Sequence, residues 1–170
     1  YDRGEHSFST RTSEGFVAVE RSSKSKVYLW LLRFPLAVQS EESQRFSQRL
    51  ARIERLQIST LPFRTFGVDG SGAAYLVTSF SEVFSLFNKS SSPMEAERLY
   101  LEVLKAVSVL HAEGIALGDI SEDSFVVDAN GRVLVMGLLG AFDLGARQTA
   151  MLPPTETYHY VSPEQRGGSA

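Results

Sequence analysis

The spacing of apolar positions along the chain changes period several times, and each change predicts an element. Residues 15–20 (Gly-Phe-Val-Ala-Val-Glu) and 27–34 (Val-Tyr-Leu-Trp-Leu-Leu-Arg-Phe) are dense in β-branched and aromatic side chains and flank the polar run Arg-Ser-Ser-Lys-Ser-Lys, which predicts a β-hairpin. Over residues 41–57 the apolar marks fall at Phe46, Leu50, Ile53 and Leu56. Steps of three and four residues describe an amphipathic helix. Two short strands follow at 63–68 and 73–80, joined by Asp69-Gly70-Ser71-Gly72, a strong turn signal. Ser92, Pro93 and Glu95 supply a cap, a first-turn proline and a first-turn acid for a second helix. Leu99, Val103, Val107 and Leu110 line one face of it, and it stops before Gly114. Two β-like runs, 125–127 and 133–136, flank Asp128-Ala-Asn-Gly131, and the stretch from 138 to 170 reads as loop. The order predicts an α+β fold with a natural boundary near residues 81–92.

Composition narrows the picture only at its edges. The 170 residues are 43% hydrophobic and 22% charged, the balance of a globular domain. A net charge of −3 gives no reason to expect nucleic acid or an acidic membrane as partner. No run approaches the ~20 apolar residues of a membrane span, and no signal peptide opens the sequence. Cysteine is absent, which removes disulfides and thiolate chemistry and leaves the compartment open, with cytoplasmic as the default expectation. His6, His111 and His159 are too scattered to suggest a metal site, and no cofactor is expected.

Several short motifs then fall in a telling order. His111-Ala-Glu-Gly114-Ile-Ala-Leu-Gly-Asp119-Ile120 is similar to the helix end and catalytic loop of a protein kinase, and Asp128-Ala-Asn-Gly131 before Val133 to the hairpin that follows that loop. Tyr160-Val161-Ser162-Pro163-Glu164-Gln165 looks like the Ala-Pro-Glu element that closes an activation segment. Tyr75-Leu-Val77 resembles the strand leading to the hinge, with Thr78 at the gatekeeper position. From about Gly15 to Gly167 the chain thus resembles bacterial-type serine/threonine protein kinases. The resemblance implies a bilobal fold, with a β-rich N-lobe at 1–81 and a helical C-lobe at 82–170 that is truncated compared with the family. Such a lobe would show an apolar patch, the usual mark of an interaction site.

The same alignment shows what has been lost. Kinase chemistry is largely positioning and electrostatics around ATP phosphates and magnesium. In the strand expected to read Val-Ala-Ile-Lys stands Val27-Tyr28-Leu29-Trp30, so the phosphate-binding lysine becomes Trp30 and the small residue roofing the adenine becomes Tyr28. Alternation along a strand points both rings the same way, into the nucleotide cleft, where each contributes roughly 1.5–3 kcal/mol if buried. The lysine's glutamate partner falls on Arg49; a shifted alignment offers Glu41, Glu42 or Glu54. The glycine-rich loop positions fall on Thr10, Thr12 and Gly15, and only the third is glycine. The His and Arg of the catalytic loop fall on Leu117 and Gly118, the asparagine metal ligand on Ser124, and the Asp-Phe-Gly aspartate on Gly137.

What survives admits two readings at each place. Asp119 is a remnant general base or a loop carboxylate accepting backbone hydrogen bonds. Tyr28 and Trp30 are core, or a platform for a flat ligand. Arg45, Arg49, Arg52 and Arg55 form a solvated stripe or a receptor for an acidic or phosphorylated partner. Thr149, Thr155 and Thr157 are modification sites or ordinary loop residues. The expectation is an inactive, protein-binding pseudokinase scaffold or allosteric module with weak or absent ATP and magnesium binding and no metal site. The alternatives are a divergent kinase using Asp119 and a non-catalytic nucleotide or ligand sensor.

Overall fold

The computed structural model describes residues 1–10, 12–56, 58–86, 92–118, 120 and 122–145. The fold is mixed α+β: among the described residues two α-helices accompany ten short strands. β1 (Asp2–Ser9), β2 (Ser13–Val19), β3 (Lys26–Leu32), β4 (Phe63–Val68) and β5 (Ala74–Ser79) form one antiparallel sheet in the order β1-β2-β3-β5-β4. Helix α1 (Glu41–Arg55) lies between β3 and β4 in sequence. Past β6 (Val83–Ser85) come α2 (Pro93–Ala112), β7 (Ile115–Leu117), β8 (Phe125–Asp128), β9 (Val133–Val135) and β10 (Ala141–Asp143). They make a three-stranded sheet, β6-β8-β9, and a two-stranded pair, β10-β7.

Local chemistry accounts for the boundaries. The Ser40 hydroxyl accepts from the Ser43 amide at 3.1 Å to open α1, Glu41 and Glu42 sit in its first turn, and Arg52 and Arg55 in its last. These are the charges a helix dipole favours at each end. Ser92 caps α2 through the Glu95 amide at 3.2 Å, and Pro93 opens its first turn. Past its end the chain turns through Gly114 at φ +70°, a left-handed conformation that glycine adopts without strain. Strand β10 corrects the expectation of loop from residue 138 onward, since Ala141–Asp143 pairs with β7. Strand β1 had no sequence prediction either: seven of its eight side chains are not apolar, so no hydrophobic alternation marks it.

Each face of the main sheet is buried differently. Tyr28, Trp30 and Leu32 of β3 join a large core with Phe46, Leu50 and Ile53 of α1, Leu99 and Leu110 of α2, and Val126, Val133 and Val135 of the second sheet. The other face holds a small cluster of Ala18, Val27 and Val77. The large core is continuous across both halves of the chain, so the main sheet is seated on the second half through apolar contact. Leu50, Ile53, Leu99 and Leu110 are each 1% exposed or less, and each contributes about 1.5–3 kcal/mol by leaving water.

Two Asp-x-x-Gly turns close hairpins by the same device. Asp69 accepts the Ser71 amide at 2.8 Å and the Ala73 amide at 3.0 Å, with Gly72 at φ +87°. Asp128 accepts the Asn130 and Arg132 amides, each at 2.9 Å, and the Arg132 guanidinium, with Gly131 at φ +77°. Burial works against the Asp128 charge, but the Arg132 and Asn130 donors outweigh it and hold the carboxyl below its ordinary 3.8. A carboxyl with a lowered folded pKa contributes stability that is present above its unfolded pKa and lost as pH falls through the folded one. Urea midpoints should therefore fall as pH drops through and below the ordinary carboxylate range, and Asp128→Asn should flatten that fall. An unchanged slope in the variant would contradict the assignment.

Candidate functional site

The site begins with a glycine that has aromatic residues on both neighbouring strands. Phe8, Gly15 and Trp30 are direct cross-strand partners on β1, β2 and β3. Side chains two strands apart start about 9.6 Å from each other, twice the strand spacing. They meet here because the middle position has no side chain. The Phe8 and Trp30 rings stack with centroids 5.4 Å apart and planes 20° apart. A Cβ built on Gly15 would lie 2.7 Å from Trp30 Cζ3, so the indole occupies the space a side chain would take.

Further rings extend the cluster. Tyr28 lies edge-on to Phe8 at 5.5 Å and tilted against Phe80 at 5.1 Å. Its hydroxyl donates to the Ser81 carbonyl at 3.0 Å. Burial is the main cause that pushes this phenol above its ordinary pKa, with Glu82 adding to it. Tyr28 and Trp30 are 3% and 2% exposed, which makes them core.

The turn between β1 and β2 is tied to itself and to the second half of the chain. Thr10 and Thr12 are both buried. The Thr10 amide donates to the Ser13 carbonyl at 2.9 Å, and the Ser13 amide to the Thr10 hydroxyl at 3.0 Å. Arg33 Nε donates to the Thr10 carbonyl at 3.1 Å. The Ser9 amide donates to Asp123 Oδ2 at 3.1 Å, across 114 residues of sequence. An amide at the edge of this turn thus already holds an anionic oxygen, supplied by a single 3-10 turn at Glu122–Ser124.

A cavity of ≈ 10 Å³, lined by Trp30, Leu61, Leu76, Thr78, Met136 and Leu138 among others, separates the main sheet from the second half. That is space for about one water, against the roughly 300–1,000 Å³ of small-molecule sites. The Thr78 hydroxyl on its wall is buried without a hydrogen-bond partner.

Arg49 does not turn toward Trp30. Its Nη1 pairs with Asp143 Oδ2 of β10 at 3.4 Å, and Arg52 Nη1 with Asp143 Oδ1 at 2.6 Å. Arg52 also donates to the Glu113 carbonyl. Burial lowers the Arg49 pKa, while the Asp143 carboxylate opposes that shift. Two members of the arginine stripe are therefore spent inside the molecule, and a third, Arg45, pairs with Glu41 on the same helix at 2.5 Å. The buried face of α1 carries Ser43, Phe46, Leu50 and Ile53, so neither Glu42 nor Glu54 faces the rings.

The remaining predicted positions lie at the junction between the halves. Leu117 is buried opposite Ala141 in the β7–β10 pair, and the Gly118 amide donates to the Gly140 carbonyl at 3.1 Å. Ser124 is fully buried, and its carbonyl accepts the Met136 amide at 2.8 Å. Gly137 leads into a single 3-10 turn, Leu138–Gly140, whose two leucines are buried. No cluster of three or more His, Cys, Asp or Glu that could hold a metal ion is present among the described residues. Asp119, Ser162, Pro163 and Glu164, with Thr149, Thr155 and Thr157, lie outside the described residues.

Sequence reading missed Phe8, Asp123 and Asp143. Phe8 is a lone apolar residue in a polar strand, and its signal is a glycine one strand away flanked by a tryptophan on the next. Asp143 is signalled only by an arginine stripe in search of an acid. No family model matches the chain, and no curated protein matches it either.

The cluster makes a sharp demand on Gly15. Gly15→Val should cost about 1–3 kcal/mol by overpacking against the indole. Adding Trp30→Leu should recover much of that loss, giving a non-additive cycle in urea denaturation. Additive losses would mean that the glycine and the indole do not share this space.

Proposed function

We propose that this chain is a protein-kinase-like domain that performs no phosphoryl transfer and acts as a protein-binding scaffold or allosteric module. The observation that carries the reading is the packing of Phe8, Tyr28 and Trp30 over Gly15. In the resemblance, Trp30 stands where a lysine would grip the α/β-phosphates and Tyr28 where a small residue would roof the adenine. Rings stacked at 5.4 Å at that place support the loss of the lysine and of the room for an adenine.

Three further features support it. The order of elements follows the order of the motifs: three strands, a helix, two strands to the hinge, a long helix, then a small hairpin. The turn replacing the glycine-rich loop has buried threonines and gives its flanking amide to Asp123, where a nucleotide-binding loop would give amides to phosphate. Arg49, at the position of the glutamate that would pair with the lysine, has its own acidic partner in Asp143. An arginine would repel a lysine and here has Asp143 as its partner, so the replacements at Trp30 and Arg49 are mutually consistent. In this reading the domain is bilobal, with the boundary between the main sheet and the second half, and the filled cleft fixes the lobes in one relation.

A thermal-shift titration with ATP and Mg²⁺ or Mn²⁺, run beside an assay for phosphate release, tests this directly. A ligand at about 100 times its dissociation constant stabilises a fold by about 2.7 kcal/mol. The expected outcome is an unchanged melting temperature at millimolar ATP and no phosphate release. A saturable rise in melting temperature, or turnover dependent on Asp119, would overturn the proposal.

A further inference from the structure

Helix α2 buries one face and leaves an apolar one in water. Leu99, Ala106 and Leu110 face the core. On the opposite side Met94 is 80% exposed, Leu101 48% and Leu104 45%, and Tyr100 beside them is 60% exposed. At ~100° per residue, Met94, Leu104 and the exposed Ala112 all lie within about 60° of Leu101. A solvated helix normally carries charge along that stripe.

Three charges, Glu97, Arg98 and Lys105, and the polar Ser108 also fall within about 60° of Leu101, and the placement of two of the charges is informative. Glu97 and Lys105 are exposed, lie about 40° to either side of Leu101, and are each four residues from it. The other charged pair on this helix, Arg98 and Glu102, is joined to itself at 2.8 Å. Neither Glu97 nor Lys105 has an ionic partner among the described residues. A two-fold axis through Leu101, perpendicular to the helix, would bring residue 101 against residue 101 of a second copy. It would set Glu97 level with Lys105 of that copy, and Lys105 level with its Glu97. A self-complementary patch of this kind is what a two-fold interface requires.

We propose that α2 is a homodimerisation surface, packing antiparallel against α2 of a second copy with Leu101 on the two-fold axis and two reciprocal Glu97–Lys105 ion pairs. The apolar stripe supplies the affinity, and the charge pairs set direction and register. This surface lies on the side of α2 away from the core and does not depend on whether the cleft binds nucleotide. One helix pair buries less than the roughly 800 Å² per partner of a standard stable interface, so association should be in the micromolar range.

Sedimentation velocity over a concentration series tests the interface, with circular dichroism to verify that each variant is folded. Glu97→Lys and Lys105→Glu should each raise the dimer dissociation constant about tenfold, because each turns two attractive contacts into repulsive ones. The double variant Glu97→Lys/Lys105→Glu should restore wild-type association. Since the chain has no cysteine, Leu101→Cys should form a single inter-copy disulfide on oxidation. Ser108→Cys should not, because its two copies would sit ~21 Å apart along the helix axis. A wild-type chain that stays monomeric up to about 1 mM would overturn the proposal. So would a dimer indifferent to the charge swap, or equal cross-linking at 101 and 108.

Discussion

Three strands are held to one arrangement by a position without a side chain. Gly15 lets Phe8 and Trp30 meet across the strand between them. Any larger residue at 15 would push into the indole. On its other side Trp30 shares the wall of a narrow cavity with Leu76 and Leu138. Seating of the sheet on the second half of the chain therefore has an apolar stack at its centre.

Polar groups then fix the arrangement at its rim. Asp123 reaches the Ser9 amide from the second half, Tyr28 reaches the Ser81 carbonyl, and Asp143 gathers Arg49 and Arg52 onto the end of β10. Each joins segments far apart in sequence, and the Arg49 contact is mostly shielded from water, with its side chain 12% exposed. Such shielding makes pairing matter more than at the surface, where isolated ion pairs contribute about 0–1 kcal/mol. In the proposed reading these are the places where a kinase would hold phosphate, adenine and lysine.

Much of this was legible from residue order because local signals were strong. Asp69-Gly70-Ser71-Gly72 and Asp128-Ala-Asn-Gly131 turn where their side chains and glycines say they should, and both helices begin at capping serines. The placement of Tyr28 and Trp30 on one face followed from strand alternation. What stayed hidden was long-range. β1 has almost no hydrophobic pattern, and its pairing with β2 rests on backbone bonds and on contacts such as His6 and Arg3 against Phe16 that spacing does not reveal. β10 is three residues long and exists because β7 offers it an edge. Spacing puts Arg49 on a stripe of arginines that is either solvated or open to an acidic partner, whereas its acid partner lies 94 residues away in the same chain. Sequence spacing carries no record of such a contact.

Trp30 is the only tryptophan in the chain, so its emission tests the central stack without interference. Indole fluorescence should be blue-shifted, weakly quenched by acrylamide, and unaltered by millimolar ATP with Mg²⁺. Phe8→Ala should move it toward red and admit the quencher while the fold persists. Emission typical of a water-exposed indole in the unmodified chain, freely quenched, would contradict the account.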